Sequence, residues 1–128
     1  MKLLFPLFLS LLSPAFASTS SYIVENLSFP DDMPPEIGGL AFDGKGNLYA
    51  CLRRGDIVVT QPGKDSGATR WKVFATGLHN PMGMQWVGPG RLVVSQMAEL
   101  TEIIDTDGDG TGDRYNNLST AFGISGNY

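Results

Sequence analysis

The sequence predicts an all-β protein that carries blades of a β-propeller, and two observations predict it: a turn-rich composition and an internal repeat. Of 128 residues, 16 are Gly and 8 are Pro, while 42% are hydrophobic and 17% are charged. Such a chain is globular, and its turn density disfavours long helices. The repeat has a period of 44 residues: Gly83-Met84-Gln85-Trp86 follows Gly39-Leu40-Ala41-Phe42 at that spacing, and Leu92-Val93-Val94 follows Leu48-Tyr49-Ala50. Gly88-Pro89-Gly90 falls on the turn at 44–46, and residues 100–104 match the strand at 56–60 with an intervening turn one residue longer. A four-stranded unit at this period marks a propeller blade, whose sheet buries its faces only against neighbouring blades. The repeat preserves turn chemistry as well as strand spacing, which favours a propeller over a single antiparallel sandwich of seven or eight strands.

Residues 1–17 form the first element, a signal peptide. Lys2 gives the positive start, residues 3–12 the apolar core, and Ala15-Phe16-Ala17 the small-residue cleavage pattern before Ser18. The apolar core is too short to anchor in a bilayer, so no membrane span is expected, and the mature protein is expected in the periplasm or outside the cell. Residues 18–37 are an extended lead-in, because Pro30, Pro34 and Pro35 exclude regular structure there. Residues 38–128 then hold the blades. Strands are predicted at 39–42, 48–52 and 57–60, where apolar runs are separated by Asp43-Gly44-Lys45-Gly46-Asn47 and Arg53-Arg54-Gly55-Asp56. A fourth strand at 71–75 is expected to place Trp71, Val73 and Ala75 on one face. The second unit starts at Gly83 and runs to 104, and the remainder reads as a trailing loop, so one and a half to two blades are expected. A propeller needs at least about four blades, which makes this chain the expected N-terminal part of a longer protein.

Nine basic residues face thirteen acidic ones, for a net charge of −4, so a nucleic-acid partner is not expected. The single cysteine, Cys51, excludes an intrachain disulfide and, inside a strand, reads as a small buried hydrophobe. Arg54-Gly55-Asp56 matches an adhesion tripeptide, but its Gly sits where a hairpin requires one.

The strongest motif is Asp105-Thr106-Asp107-Gly108-Asp109-Gly110-Thr111-Gly112-Asp113. Carboxylates at loop positions 1, 3, 5 and 9, with Gly at 6, match the first nine places of an EF-hand calcium loop. Asp105, Asp107, Asp109 and Asp113 are the expected side-chain ligands, and Thr111 the expected backbone ligand. Position 12 is Asn116 where such loops carry a bidentate Glu, so weak affinity is expected. The alternative is a solvated Asp-Gly turn without an ion. His79, in the connector Gly77-Leu78-His79-Asn80-Pro81, is the only candidate base. No second His or Cys accompanies it, and Ser95 and Ser125 lack a nucleophile-elbow setting.

The run Gly77-Leu78-His79-Asn80-Pro81-Met82-Gly83-Met84, the strand at 91–95, and Leu100-Thr101-Glu102-Ile103-Ile104 leading into the acidic loop resemble the opening blades of the glucose/sorbosone dehydrogenase family. More narrowly, they resemble large secreted bacterial propeller proteins described as membrane-bound dehydrogenases or heme-binding domain proteins. The resemblance covers about residues 24–128. It implies a six-bladed propeller with pyrroloquinoline quinone and calcium, oxidising a carbohydrate or aldehyde and passing electrons to a cytochrome or another acceptor. It also implies a catalytic histidine and quinone-holding arginines, none of which can be placed on these residues. The chain itself is therefore expected to be inactive. The alternative function is a non-catalytic secreted propeller module that binds carbohydrate or protein.

Overall fold

The computed structural model describes residues 21, 22, 24–63 and 69–123, so the signal peptide lies outside the described residues. Eight strands follow one another: β1 (Ile37–Phe42), β2 (Leu48–Leu52), β3 (Ile57–Thr60), β4 (Lys72–Ala75), β5 (Gly83–Gly88), β6 (Arg91–Gln96), β7 (Glu99–Ile104) and β8 (Arg114–Ser119). They form two four-stranded antiparallel sheets with strand orders β1-β2-β3-β4 and β5-β6-β7-β8, and the described residues contain no helix. Local chemistry sets the turns. Asp43 ends β1 because its carboxylate accepts the backbone N–H of Lys45 (2.8 Å) and of Asn47 (2.9 Å), an arrangement that competes with continued strand pairing. The Arg54-Gly55-Asp56 tripeptide is a tight turn, with Gly55 at φ 111° and its N–H donated to the Leu52 carbonyl.

The two sheets pack face to face around one main core. Tyr49, Cys51, Ile57, Phe74 and Ala75 of the first sheet meet Leu92, Val94 and Ile103 of the second, with Met84 and Trp86 at the margin. Tyr49, Phe74 and Trp86 form an edge-to-face cluster with centroids 4.8–5.7 Å apart, a favourable arrangement for aromatic quadrupoles. The backbones come closest where β1 passes the connector into β5: a Cβ on Gly38 would lie 2.0 Å from the Pro81 carbonyl oxygen, so no other residue fits. Cys51 is fully buried in this core, and burial pushes its thiol pKa up, which keeps it inert.

The faces in contact are not equivalent under the 44-residue repeat. Met84, Trp86, Leu92 and Val94 are the counterparts of Leu40, Phe42, Leu48 and Ala50, which lie on the outer face of the first sheet. Phe74 and Leu118 also correspond, since each is the extra residue of a register shift at the same place in its sheet. Phe74 is buried between the sheets while its counterpart Leu118 is 50% exposed. The sheets therefore stack head to tail, with the front of one on the back of the next.

Three expectations need correction. The segment after the acidic loop is a strand, β8, so the second sheet is complete. It lacked a hydrophobic signature because amide–carboxylate pairs hold it: Asn116 Nδ2 donates to Glu102 Oε2 at 3.2 Å, and Asn117 Nδ2 donates to Glu99 Oε2. Trp71, just before β4, does not share a face with Ala75 at its end, so Trp71, Val73 and Ala75 do not lie together. The register shift between Ile57 and Val58 turns Ala75 to the same core as Phe74, while Trp71 packs on the opposite side against Phe29 and Ser28. Lastly, the β6–β7 turn is shorter than its counterpart, with only Met97 and Ala98 between paired Gln96 and Glu99. Ala98 adopts φ 75° to close it. Left-handed backbone costs an L-residue roughly 1–2 kcal/mol, and glycine's own entropy loss offsets part of this. Ala98→Gly is expected to raise stability by about 0.5–1 kcal/mol in urea unfolding.

Candidate metal centre

The acidic loop joins β7 to β8 and is tied down at both ends. Asp105 donates its N–H to the Gly90 carbonyl at 2.9 Å, and Gly112 donates to the Phe74 carbonyl of the other sheet at 2.7 Å. A Cβ on Gly112 would lie 2.4 Å from Ile103 Cγ2, so glycine is what lets the loop reach across. Within the loop, the Asp105 carboxylate accepts the N–H of Gly108 (2.7 Å) and Gly110 (3.0 Å), and Asp109 accepts that of Thr111 (2.7 Å). One carboxylate oxygen from each of Asp105, Asp107 and Asp109 lies within 4.8 Å of the other two, and these three together could hold a metal ion.

The other two expected ligands are placed differently. Asp113 turns back to accept both the N–H and the hydroxyl of Thr106, each at 2.8 Å, and these bonds hold its carboxyl below the usual aspartate range. Thr111 is exposed and contributes its N–H to Asp109. Asn116 at position 12 faces Glu102 rather than the loop. The converging donors are thus three hard oxygens of like charge. They repel one another without a cation, and their chemistry suits calcium.

A cleft of about 500 Å³ borders the loop, with Asp43, Tyr49, Phe74, Trp86 and Asp105 among its walls. Burial, then the charges of Asp43 and Asp105, push the Tyr49 phenol up to about 12, so it stays neutral at physiological pH. The buried indole N–H of Trp86 has no acceptor among the described residues.

His79 lies at the opposite end of the sheets, in a cleft of about 420 Å³ lined also by Glu36, Arg53, Asn80 and Met97. Arg53 Nε donates to Asn80 Oδ1 at 3.0 Å, and the His79 backbone N–H donates to Gln96 Oε1. Among the described residues no hydrogen bond orients the imidazole. Arg53 was not singled out in the sequence, where it reads as part of a turn; the fold brings it beside a residue 26 positions away. A tricarboxylate quinone requires several cations, and this cleft sets one arginine beside Glu36. The described residues therefore do not fit pyrroloquinoline quinone.

The second sheet also carries paired carboxylates that were not foreseen. Glu102, 5% exposed, accepts Nε of Arg91 at 2.8 Å, and its carboxyl is held below the ordinary range by Arg91 first and Asn116 next. Glu99 is lowered by Thr101 and Asn117. A carboxylate depressed in the folded state contributes stability above its unfolded pKa, and that contribution disappears as pH falls through the folded value. The chain is expected to lose stability below about pH 4.3, the ordinary glutamate value. Glu102→Gln is expected to flatten this acid limb in melts recorded against pH, and an unchanged limb would contradict the assignment.

Compared with protein-family models, curated proteins and solved structures, the chain matches none. No helix among the described residues is long and apolar enough to cross a membrane.

Proposed function

We propose that the two sheets are neighbouring blades of an exported β-propeller of the glucose/sorbosone dehydrogenase type, with the acidic loop as a calcium-binding brace between blades. The observation that carries this reading is the position of the loop: Asp105, Asp107 and Asp109 converge while Gly112 is hydrogen-bonded to Phe74 of the other sheet. A cation bound there gathers carboxylates that otherwise repel, and so stiffens a loop that spans the interface. The head-to-tail stacking supports a propeller, because in a propeller each blade packs the front of its sheet on the back of the next.

The described residues of this pair of sheets do not by themselves assemble the groups that oxidation chemistry needs. A hydride acceptor needs a positioned base and cations around its carboxylates, and the His79 cleft supplies neither set in full. The chain supplied with pyrroloquinoline quinone and calcium is expected to show no turnover of aldoses in a dye-linked assay. Turnover that disappears in His79→Ala would place the chemistry here and overturn the reading.

A further inference from the structure

We infer that calcium held by Asp105, Asp107 and Asp109 bridges the chain to an acidic saccharide, whose carboxylate and hydroxyls lie in the groove between the acidic loop and the first sheet. The inference rests on the calcium brace and adds a ligand to it. One oxygen from each of the three carboxylates converges, while the loop's own N–H groups engage both oxygens of Asp105 and one each of Asp107 and Asp109. Calcium takes about six to eight oxygens, so such an ion has room for donors from outside the chain.

The groove points to the class of those donors. It is a cleft of about 390 Å³, bordered by Asp109, Asn47, Thr60, Gln61, Arg70 and Lys72, and within the ordinary range of small-molecule sites. Arg70 and Lys72 are exposed and, among the described residues, make no ion pair. Two cations beside neutral amides and a hydroxyl suit an anionic polyol, the cations for its carboxylate and the neutral groups for its hydroxyls. Without calcium, Asp109 in this groove repels an anion; a bound divalent cation reverses the sign of the local field. Tyr49 is the independent sign of a ligand. It lines this groove and the adjoining cleft that holds Asp43 and Asp105. Tyr49 is only 7% exposed and packs edge-to-face on Phe74 and Trp86, yet its O–H has no hydrogen-bond partner among the described residues. Such a group is an unused donor aimed at whatever fills the groove. The groove lies between the two sheets, so further blades stacked on their outer faces would leave it open.

Isothermal titration of the purified chain with digalacturonate, in about 10 mM calcium and in chelator, tests this. Lactose and acetylated diglutamate serve as the neutral-saccharide and acidic-peptide probes. Digalacturonate is expected to bind only in calcium, and the other two probes at least about tenfold more weakly. Tyr49→Phe, which keeps the ring, and the exposed pair Arg70→Ala with Lys72→Ala are each expected to weaken digalacturonate binding about tenfold, while the calcium-dependent rise in melting temperature stays intact. A rise in melting without digalacturonate heat overturns the saccharide and leaves the brace standing. Equal binding in calcium and chelator, equal binding of the peptide or of lactose, or undiminished binding in either variant also overturns it. The absence of any calcium-dependent rise overturns the brace and this inference together.

Discussion

Phe74→Ala is expected to destabilise the chain by about 3–5 kcal/mol, the usual cost of emptying a buried phenylalanine site. The ring is 1% exposed and touches both other aromatics of the inter-sheet cluster, so its loss leaves a cavity bounded by Tyr49 and Trp86. For a domain of this size each kcal/mol moves the melting temperature by roughly 4–8 °C, so the variant is expected to melt at least about 12 °C lower. Leu118→Ala is the matched comparison. It occupies the same shifted position in the second sheet, but half-exposed, and in the dilute chain it is expected to cost less than about 1 kcal/mol. Urea unfolding followed by tryptophan fluorescence measures both. Equal losses would mean that the two positions are packed alike and that the head-to-tail asymmetry is absent.

The sequence was most legible where strand pattern and turn chemistry agreed. The strands around Leu48, Ile57 and Leu92 announced themselves by apolar runs between glycine turns, and the acidic loop by its spacing. The reading failed where a side chain does the work of a hydrophobic pattern. In β8, Arg114–Ser119, two adjacent asparagines among mostly exposed residues look like loop, yet their amides pair with Glu99 and Glu102 across the sheet. It failed again at Phe74, because one inserted residue reverses the alternation and period-two reasoning then assigns the wrong face. In the acidic loop the spacing named five donors, but Thr106 captures Asp113, a competition that spacing does not reveal. Arg53 came to His79 through the fold alone, by way of the turn after β2 and the connector before β5.

The calcium brace is the central claim, and its expected effect is large. At the roughly 10⁻⁴ to 10⁻³ M affinity of extracellular loops, about 10 mM calcium adds about 1.4–2.7 kcal/mol of stability. That corresponds to a rise of about 6–20 °C in melting temperature. Asp105→Asn and Asp109→Asn each remove one of three converging charges and are expected to abolish the rise. Asp31→Asn, at an exposed acid in the lead-in, is expected to leave it intact. The most direct measurement is thermal unfolding of the purified chain with calcium and with chelator, beside Asp109→Asn. A calcium-dependent rise in wild type that is lost in Asp109→Asn is the predicted result; equal melting with calcium and chelator, or an undiminished rise in Asp109→Asn, would contradict it.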